Sequence, residues 1–364
     1  SMDAVAITAH GNMCGVVEFL KCANDKSNKN PDKSYKVKPI VGCEVYVTRH
    51  FPHQEKKTGY YHLILLAKNY EGYKNLMKIV SLGHIEGSYY RPRIDHEILE
   101  KYHENLICSS ACLAGEIPQA ILKGDLEGAR EAILWHKNIF GEDYYLEVML
   151  HKTEVPGMSL RTYEEQKKVN EAIFALGKEL GVKVIATNDV HFLRKEDGPV
   201  HDRLICLTTN ANYNDPNRLH YTQQEYLKSE EAMLALFPDH PEAISNTAEV
   251  ASKIEAYSIE RPPILPKFNI DPDFLAEIDT HLEKYKFIID EGKAEGRGQE
   301  FYNSVAYLCH LTYEGAHKRY GPELNETQSS RIEFELKTIA KMGFPDYFLI
   351  VQDYIAAMRK QGYL

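Results

Sequence analysis

The sequence predicts an α/β fold in which parallel strands are joined by crossover helices. Up to about residue 210, short apolar runs suited to strands alternate with longer stretches whose apolar residues recur at helical spacing. Alternation of this kind usually produces parallel strands connected by helices. About six strand and helix units can be distinguished, which favours a barrel or a barrel-like sheet. In such folds, ligands collect at the carboxyl ends of the strands.

The individual elements follow from the apolar runs and their spacing. Six strands are predicted, at residues 4–8, 39–47, 62–67, 105–109, 144–149 and 182–187. Four helices are predicted between them, at residues 15–23, 70–82, 117–140 (with a break near Gly124) and 163–180. After Pro199 the pattern becomes helical, with helices predicted at residues 200–207, 229–236 and 240–254.

A proline-rich segment marks the predicted boundary between two domains. The run Pro262-Pro263-Ile264-Leu265-Pro266 is typical of a rigid, extended linker, so the domains are predicted to cover residues 1–266 and 267–364. An acidic insert is expected around residues 271–326, because residues 271–300 carry nine acidic and four basic side chains. We expect a solvated helix pair or a partly mobile segment there.

Two helices are predicted at the end of the chain. Ser330 and Glu333 have the spacing of a capping box, and Gly343 is placed to end the helix that they begin. The buried stripe of this helix is predicted to consist of Ile332, Leu336 and Ile339. A second helix is predicted at residues 347–360.

Composition excludes several classes of protein. The chain has 364 residues, of which 43% are hydrophobic and 26% charged, as in a soluble globular protein with ample core. No apolar stretch has the length of a membrane span, and no secretory signal begins the chain. Seven cysteines without a CxxC pair predict reduced thiols in a cytoplasmic protein. A net charge of −10 disfavours a surface that binds nucleic acid everywhere.

Ligand-type side chains recur near the predicted strands. Asp189 and His191 follow the run 182–187, and alternation would place them on one side of the strand if it continued that far. Four further side chains of this kind lie at or near other strands: His10, Glu44, His62 and Cys112. Imidazole and thiolate favour zinc-like ions, whereas carboxylates also accept manganese or iron. The set predicts a multinuclear metal site that activates water for attack on a phosphoester.

Each of these residues also has a simpler interpretation. His62 on an apolar strand could be a hydrogen-bonded core histidine, and Cys112 could be a small buried hydrophobe. Glu44 is harder to explain in this way, because a buried carboxylate needs a partner. Arg91 and Arg93 follow two tyrosines and could contact DNA, but a surface loop held by salt bridges explains them equally well.

Several motifs resemble those of the PHP (polymerase and histidinol phosphatase) domain family. They are Thr8-Ala-His-Gly-Asn-Met13, Gly42-Cys-Glu44, the runs 62–69 and 110–116, and Thr187-Asn-Asp-Val-His191. Within that family, the runs 215–219, 225–229 and 341–350 are similar to the alpha subunits of bacterial DNA polymerase III, the C-family replicative polymerases. The resemblance covers nearly the whole chain and is weakest over residues 271–326.

The resemblance implies a distorted seven-stranded (β/α) barrel, amino-terminally truncated and followed by the helical start of the polymerase palm. Family members that bind metal use nine ligands around three ions, and six of those positions map to His10, Glu44, His62, Cys112, Asp189 and His191. The other three would precede Ser1, because we interpret the chain as a piece of a longer protein. The catalytic carboxylates of the polymerase are likewise expected outside this chain.

One departure from the family pattern bears on the metal site. The family usually has Thr-Asp-His-Gly where this chain has Thr8-Ala9-His10-Gly11. An acid beside a metal-binding histidine can orient it, so its loss favours a degenerate site. We therefore expect zinc, manganese or magnesium at partial occupancy, or no ion at all.

The resemblance implies a function for the parent polymerase and leaves alternatives for the domain. The parent would be a DNA-directed DNA polymerase that acts on DNA and associates with other replisome subunits in the cytoplasm, without contacting a membrane. The PHP domain would serve mainly as a structural scaffold and docking platform for the proofreading exonuclease subunit. The alternatives are an active metal-dependent 3′–5′ exonuclease and a free-standing phosphatase, and the helical tail after Pro266 disfavours the latter.

Overall fold

The computed structural model describes residues 2–49, 52–55, 59–215, 217–262 and 264–363. These residues form two compact units, Ser1–Ile259 and Glu260–Leu364. Pro263, in the predicted linker, lies outside the described residues. No helix within the described ranges combines the length and the apolar character needed to cross a membrane.

The first unit contains eight strands and nine α-helices within the described ranges. The strands are β1 (Ala4–Ile7), β2 (Lys38–Thr48), β3 (Tyr61–Ala67), β4 (Ser88–Tyr89), β5 (Arg91–Asp95), β6 (Leu106–Ser109), β7 (Tyr144–Val148) and β8 (Val184–Ala186). The helices are α1 (Val16–Asn24), α2 (Tyr70–Ile85), α3 (His96–Tyr102), α4 (Glu116–Leu122), α5 (Leu126–Phe140), α6 (Arg161–Leu180), α7 (Gly198–Thr209), α8 (Glu230–Leu236) and α9 (Pro241–Ser252).

The strands form one mixed sheet in the order β4-β5-β2-β3-β6-β7-β8, with β1 also paired to β2. This arrangement confirms the predicted α/β class, with a curled sheet followed by a helical segment. The prediction of parallel strands is wrong for β3, which runs antiparallel to both β2 and β6. Residues 49–60 connect β2 to β3, and the described residues among them include no crossover helix of the kind that usually joins parallel strands. The pairs β1–β2, β2–β5, β6–β7 and β7–β8 are parallel.

The strand β2 lies inside the sheet, and its residues are buried on both faces from Ile40 to Thr48. Its side chains join the main hydrophobic core with those of β3, β6, β7 and the helices α2, α5 and α6. A Cβ atom at Gly42 would lie 2.6 Å from the carbonyl oxygen of Leu65 on β3. The absence of a side chain at Gly42 thus allows β2 and β3 to approach closely, two residues before Glu44.

Sequence patterns did not predict the hairpin β4–β5 or the helix α3 that follows it. The strand β5 has the sequence Arg-Pro-Arg-Ile-Asp, which lacks an apolar run and contains a proline. Its pairing with β2 depends on tertiary contacts, and Asp95 ends it by accepting a hydrogen bond from the Ile98 amide at 3.0 Å as the N-cap of α3. Local composition therefore gives no indication of the β4–β5 hairpin or of α3.

The second unit is helical within its described residues. Its helices are α10 (Pro272–Ala276), α11 (Ile278–Lys284), α12 (Lys286–Ile289), α13 (Gln299–Tyr320), α14 (Glu326–Met342) and α15 (Pro345–Lys360). The acidic segment was expected to be a solvated helix pair or partly mobile. Residues 272–289 instead form three short helices, and the longer α13 follows within the same segment. Phe274, Tyr285 and Ile288 are buried in a core of this unit.

The start of α14 differs from the prediction, whereas its end agrees with it. The capping box is formed by Asn325 and Gln328, each of which accepts a hydrogen bond from the main-chain amide of the other, at 2.9 and 3.0 Å. The predicted box at Ser330 and Glu333 is wrong because these residues already lie inside the helix. Gly343 ends α14 with φ of 86°, as predicted.

Candidate metal centre

Glu44 lies at the centre of a cluster with two histidines. His10 follows β1 and forms an isolated parallel bridge with Glu44, in which the next amide, Gly11, donates to the Glu44 carbonyl at 2.8 Å. The Nε2 atom of His10 lies 3.3 Å from Oε2 of Glu44, and Nδ1 of His62 contacts Oε1. Three potential ligand atoms, one from each residue, lie within 4.8 Å of one another. Sequence-distant side chains thus converge around one carboxylate.

The register of β2 and β3 explains why Glu44 and His62 meet. Tyr46 on β2 is directly opposite His62 on β3, and their rings are 5.2 Å apart. Glu44 is two residues from Tyr46 and therefore points to the same face of the sheet. Diagonal neighbours across an antiparallel pair are within reach of long side chains. Glu44 is 4% exposed, so the two histidines supply the partners that a buried carboxylate needs.

Cys112 reaches the cluster from the loop between β6 and α4. Its Sγ atom lies 3.7 Å from Nδ1 of His62. The loop turns at Ala111, with φ of 59°, and closes with a hydrogen bond from the Gly115 amide to the Cys112 carbonyl at 2.8 Å. Burial raises the pKa of the Cys112 thiol, and the nearby carboxylates of Asp189 and Glu44 raise it further. The thiol is therefore protonated unless a cation offsets these effects.

Asp189 and His191 approach from the end of β8, but not by strand alternation. The strand ends at Ala186, and the chain turns at Asp189 with φ of 43°. The His191 amide donates to the Glu225 carbonyl at 2.8 Å, and Nδ1 of His191 donates to the Asp189 carbonyl at 2.6 Å. A carbonyl only accepts, so Nε2 of His191 offers a lone pair. This buried atom has no hydrogen-bond partner among the described residues.

The six predicted residues are therefore brought to one place. The rings of His10 and His191 are 5.7 Å apart, and those of His10 and His62 are 6.0 Å apart. Burial raises the pKa of Asp189, while His191 opposes and Glu44 reinforces this change. The geometric convergence is observed, whereas the role of these residues as metal ligands stays a prediction.

Glu147 is a further buried carboxylate near the site that the predicted set of ligands does not include. It lies on β7 and is 5% exposed. Its carboxylate accepts hydrogen bonds from the hydroxyls of Ser109 and Thr187, the latter at 2.9 Å. Burial raises its pKa to about 7, against the lowering effect of the two hydroxyls. A glutamate inside the apolar run Tyr-Tyr-Leu-Glu-Val was the available signal.

Two aromatic side chains lie beside His191, and their spacing in the sequence does not indicate this position. The rings of His201 and Tyr221 are centred 5.6 and 4.6 Å from the ring of His191. His201 belongs to α7 and Tyr221 to the segment that follows it, so only the tertiary fold brings them to the end of β8. They place two further rings next to His191.

The two arginines proposed as DNA contacts have different environments. Arg93 is 1% exposed and donates to the carbonyls of Gly87 and His53, at 3.3 and 3.2 Å. The expectation is therefore corrected for Arg93, because its guanidinium is engaged inside the protein. Arg91 is exposed and lies 5.6 Å from the centre of the Tyr46 ring, so its contact with DNA stays a prediction.

The donor set fits a divalent transition-metal ion better than magnesium. Two imidazoles and one carboxylate, with a thiol close by, match the ligands that zinc accepts. Ala9 offers no carboxylate to orient His10, and its carbonyl is used by the Glu44 amide at 3.1 Å and by the Cys43 thiol at 3.3 Å. The histidines are therefore oriented by Glu44 rather than by a separate acid.

Comparisons with known proteins identify two family models along the chain. The PHP domain model matches residues 1–151, and the model described as the bacterial DNA polymerase III alpha NTPase domain matches residues 306–364. Similar proteins named DNA polymerase III subunit alpha include one from Borreliella burgdorferi, 40% identical over 362 residues. Others come from Treponema pallidum, 36% identical over 359 residues, and Campylobacter jejuni, 35% identical over 372 residues.

These alignments cover nearly all of the chain but only part of each relative. They include 98%, 97% and 99% of the chain, and 27%, 27% and 29% of the respective relatives. The chain thus spans less than a third of the length of the curated relatives it matches.

Proposed function

Because this chain belongs to the PHP-containing family of bacterial DNA polymerase III alpha subunits, we propose that it serves a replicative DNA polymerase mainly as a structural scaffold. In this proposal the parent protein transfers nucleotides to a primer in the cytoplasm. The PHP region docks the proofreading exonuclease subunit, and other replisome subunits bind the parent. The metal site is a reduced one that holds at most one or two ions weakly.

The main support for a scaffold with a reduced metal site is the pairing of Glu44 with both His10 and His62. The buried carboxylate already has two partners, so the cluster is stable without an ion. The raised pKa values of Asp189 and Glu147 allow protons to neutralise the other acids when no cation is bound. Ala9 supports the same conclusion, because the acid usual in the family is replaced there by a side chain without charge.

The same residues would hold an ion where one is available. His10, Glu44 and His62 provide the three atoms that lie close together, and Cys112 is next to His62. A divalent ion bound by such a set acts as a Lewis acid and lowers the pKa of bound water. The chain's own contribution would be to orient the imidazoles through Glu44 and to keep the buried edge of the site dry.

The scaffold proposal is tested by comparing metal binding with hydrolysis. The protein, purified in chelator and then titrated with Zn²⁺ or Mn²⁺, is expected to gain thermal stability without gaining the ability to shorten single-stranded DNA from its 3′ end. The double variant Glu44→Gln/His62→Gln is expected to show a smaller gain in stability, because it lacks two of the three clustered ligands. His317→Gln, in α13, is the matched control that removes a histidine elsewhere. Metal-dependent trimming of 3′ ends by the unmodified protein would contradict the proposal.

Docking of the exonuclease subunit requires a separate test. The purified protein and the proofreading subunit of the same replisome are expected to sediment together in analytical ultracentrifugation. The Glu44→Gln/His62→Gln variant is expected to co-sediment equally well if the PHP region acts as a scaffold. Independent sedimentation of the two unmodified proteins would refute the docking role while leaving the polymerase assignment intact.

A second candidate, a metal-dependent 3′–5′ exonuclease or phosphoesterase, is favoured by one observation. Nε2 of His191 is buried and without a hydrogen-bond partner among the described residues, and His10 lies next to it. A lone pair left in this position is suited to an ion. This candidate predicts that His191→Ala abolishes hydrolysis of DNA 3′ ends, whereas His103→Ala does not. Equal hydrolysis by the two variants would exclude it.

A further inference from the structure

A second cluster of metal-type side chains lies at the ends of helices, apart from the site around Glu44. It consists of His96, Glu116 and His136, which we call the helix-end cluster. One potential ligand atom from each residue lies within 4.8 Å of the others. His96 and Glu116 are the first residues of α3 and α4, and His136 lies in the last turns of α5. The three helices thus present their side chains to one point.

His136 supplies the strongest indication of a ligand at this point. Its ring is 1% exposed, stacks on Tyr144 with centroids 5.1 Å apart, and meets the edge of Trp135. Nδ1 of His136 bonds the Ala132 carbonyl at 2.8 Å. Because a carbonyl can only accept, Nδ1 holds the proton and Nε2 has a lone pair. No described residue donates to this buried Nε2 atom.

The bond to Ala132 is the arrangement found around metal-binding histidines. A histidine that binds metal usually donates its other ring nitrogen to a carbonyl or carboxylate, which sets the tautomer and the ring orientation. An acceptor atom buried without a donor costs free energy, so its retention in a packed core calls for a partner. A cation at Nε2 would supply that partner.

Glu116 contributes a carboxylate with one oxygen directed at the histidines. Oε1 pairs with Nε of Arg49 at 2.8 Å, and Oε2 lies 3.9 Å from Nε2 of His96. Glu116 is 6% exposed, so its second oxygen is largely withdrawn from water. Arg49 also approaches Glu131, at 3.7 Å, which limits the excess positive charge that a bound cation would create.

His96 gives the cluster a route to solvent. Its ring stacks on Trp135 with centroids 3.6 Å apart, and its side chain is 18% exposed. The stack orients the imidazole towards Glu116 and His136 rather than outward. A cation could thus enter past His96 without opening the core around His136.

We propose that His96, Glu116 and His136 form a binding site for a zinc-like divalent cation that joins α3, α4 and α5. Two imidazoles and one carboxylate form a common protein set for zinc and leave a fourth position for water. An ion pair between Arg49 and Glu116 alone would leave Nε2 of His136 without a partner among the described residues. The site is distinct from the cluster around Glu44, and it does not depend on the role proposed for the PHP region.

The experiment measures how many Zn²⁺ ions the protein binds after two residues of the cluster around Glu44 have been replaced. The background is the full chain with Glu44→Gln and His62→Gln, loaded with Zn²⁺, passed over a desalting column and analysed by mass spectrometry for metal. We expect one equivalent of Zn²⁺ in this background and none after the further substitution His96→Gln. His103→Gln, which removes the histidine at the other end of α3, is the matched control and is expected to keep the ion.

A second variant and a spectroscopic readout guard against loss of folding. His136→Phe keeps the aromatic stack on Tyr144 but removes the lone pair, and circular dichroism verifies that each variant is folded. Co²⁺ in place of Zn²⁺ is expected to give tetrahedral d–d absorption in the background and not in His96→Gln. Absence of Zn²⁺ from the background, or equal Zn²⁺ in the background and in folded His96→Gln, would overturn the proposal.

Discussion

Buried carboxylates dominate the electrostatics of the PHP region at the scale of single residues. Glu44 is paired with histidines, whereas Glu147 has only hydroxyl partners and keeps a raised pKa of about 7. The two hydroxyls only partly offset the effect of burial on the Glu147 carboxylate. Stability should therefore depend on pH through Glu147.

We predict that Glu147→Gln stabilises the metal-free protein at pH 8 and changes little at pH 4.5. The folded-state pKa of about 7 lies above the ordinary value of 4.5, so the folded state binds this proton more tightly. The stabilisation is complete below pH 4.5 and is lost as the pH rises through 7. The loss at pH 8 is on the order of 3 kcal/mol.

Urea unfolding at the two pH values, in the presence of a chelator, measures this effect. Glu142→Gln, which changes an exposed glutamate of the neighbouring turn, serves as the control and should follow the unmodified protein. If the free energies of unfolding of Glu147→Gln and of the unmodified protein change in parallel with pH, Glu147 is not the source of the pH dependence.

We also predict that Gly115→Ala destabilises the protein and weakens metal binding at the first cluster. A Cβ atom at Gly115 would lie 2.2 Å from the Ser110 carbonyl oxygen, so the loop that carries Cys112 must move. Overpacking of this kind costs about 1–3 kcal/mol. Gly315→Ala, in an exposed position of α13 with no atom near its Cβ, should instead stabilise by about 0.5–1 kcal/mol. Thermal unfolding of both variants tests the contrast.

The positions of the site residues were predictable to the extent that strand patterns determine them. Glu44 and His62 lie on strands whose apolar runs are evident, so their convergence could be anticipated. The approach of Asp189 and His191 depends on a left-handed turn and on the Glu225 carbonyl, which no local pattern reports. The burial of Arg93 depends on tertiary contacts of the β4–β5 hairpin, and its sequence resembles that of an exposed basic loop.

At the scale of elements, ends were harder to predict than interiors. The helix α14 illustrates this, because two capping signals, Asn325 with Gln328 and Ser330 with Glu333, occur within nine residues and the helix begins at the first. The direction of β3 is a similar case. Its apolar run predicts a strand correctly, but its antiparallel direction is evident only from its pairing with β2 and β6.

We predict that Asn325→Ala lowers the stability of the second unit by about 0.5–2 kcal/mol, the usual cost of losing an N-cap. Asn325 satisfies the Gln328 amide, which has no acceptor inside the helix. Ser330→Ala tests the rejected capping box and should change stability by less than about 0.5 kcal/mol, because Ser330 is an exposed residue within the helix. Chemical denaturation followed by far-UV circular dichroism compares the two. Equal losses for both variants would contradict the observed start of α14.

At the scale of the whole molecule, the chain contains two units with separate hydrophobic cores. The core of the first unit is built on β2 and its neighbours, and that of the second on α12, α13 and α14. The candidate metal ligands of both clusters belong to the first unit. Ligand binding stabilises only the cooperative unit that contains the site.

We therefore predict that Zn²⁺ raises the unfolding temperature of the first unit and leaves that of the second unchanged. At a free Zn²⁺ concentration one hundred times the dissociation constant, the stabilisation is about 2.7 kcal/mol. Differential scanning calorimetry of the full chain should resolve two transitions, of which one moves with Zn²⁺ and returns on addition of a chelator. The variant Asn325→Ala assigns the transitions, because it should lower the one that Zn²⁺ does not move. A single transition that responds to both changes would mean that the two cores unfold as one cooperative unit.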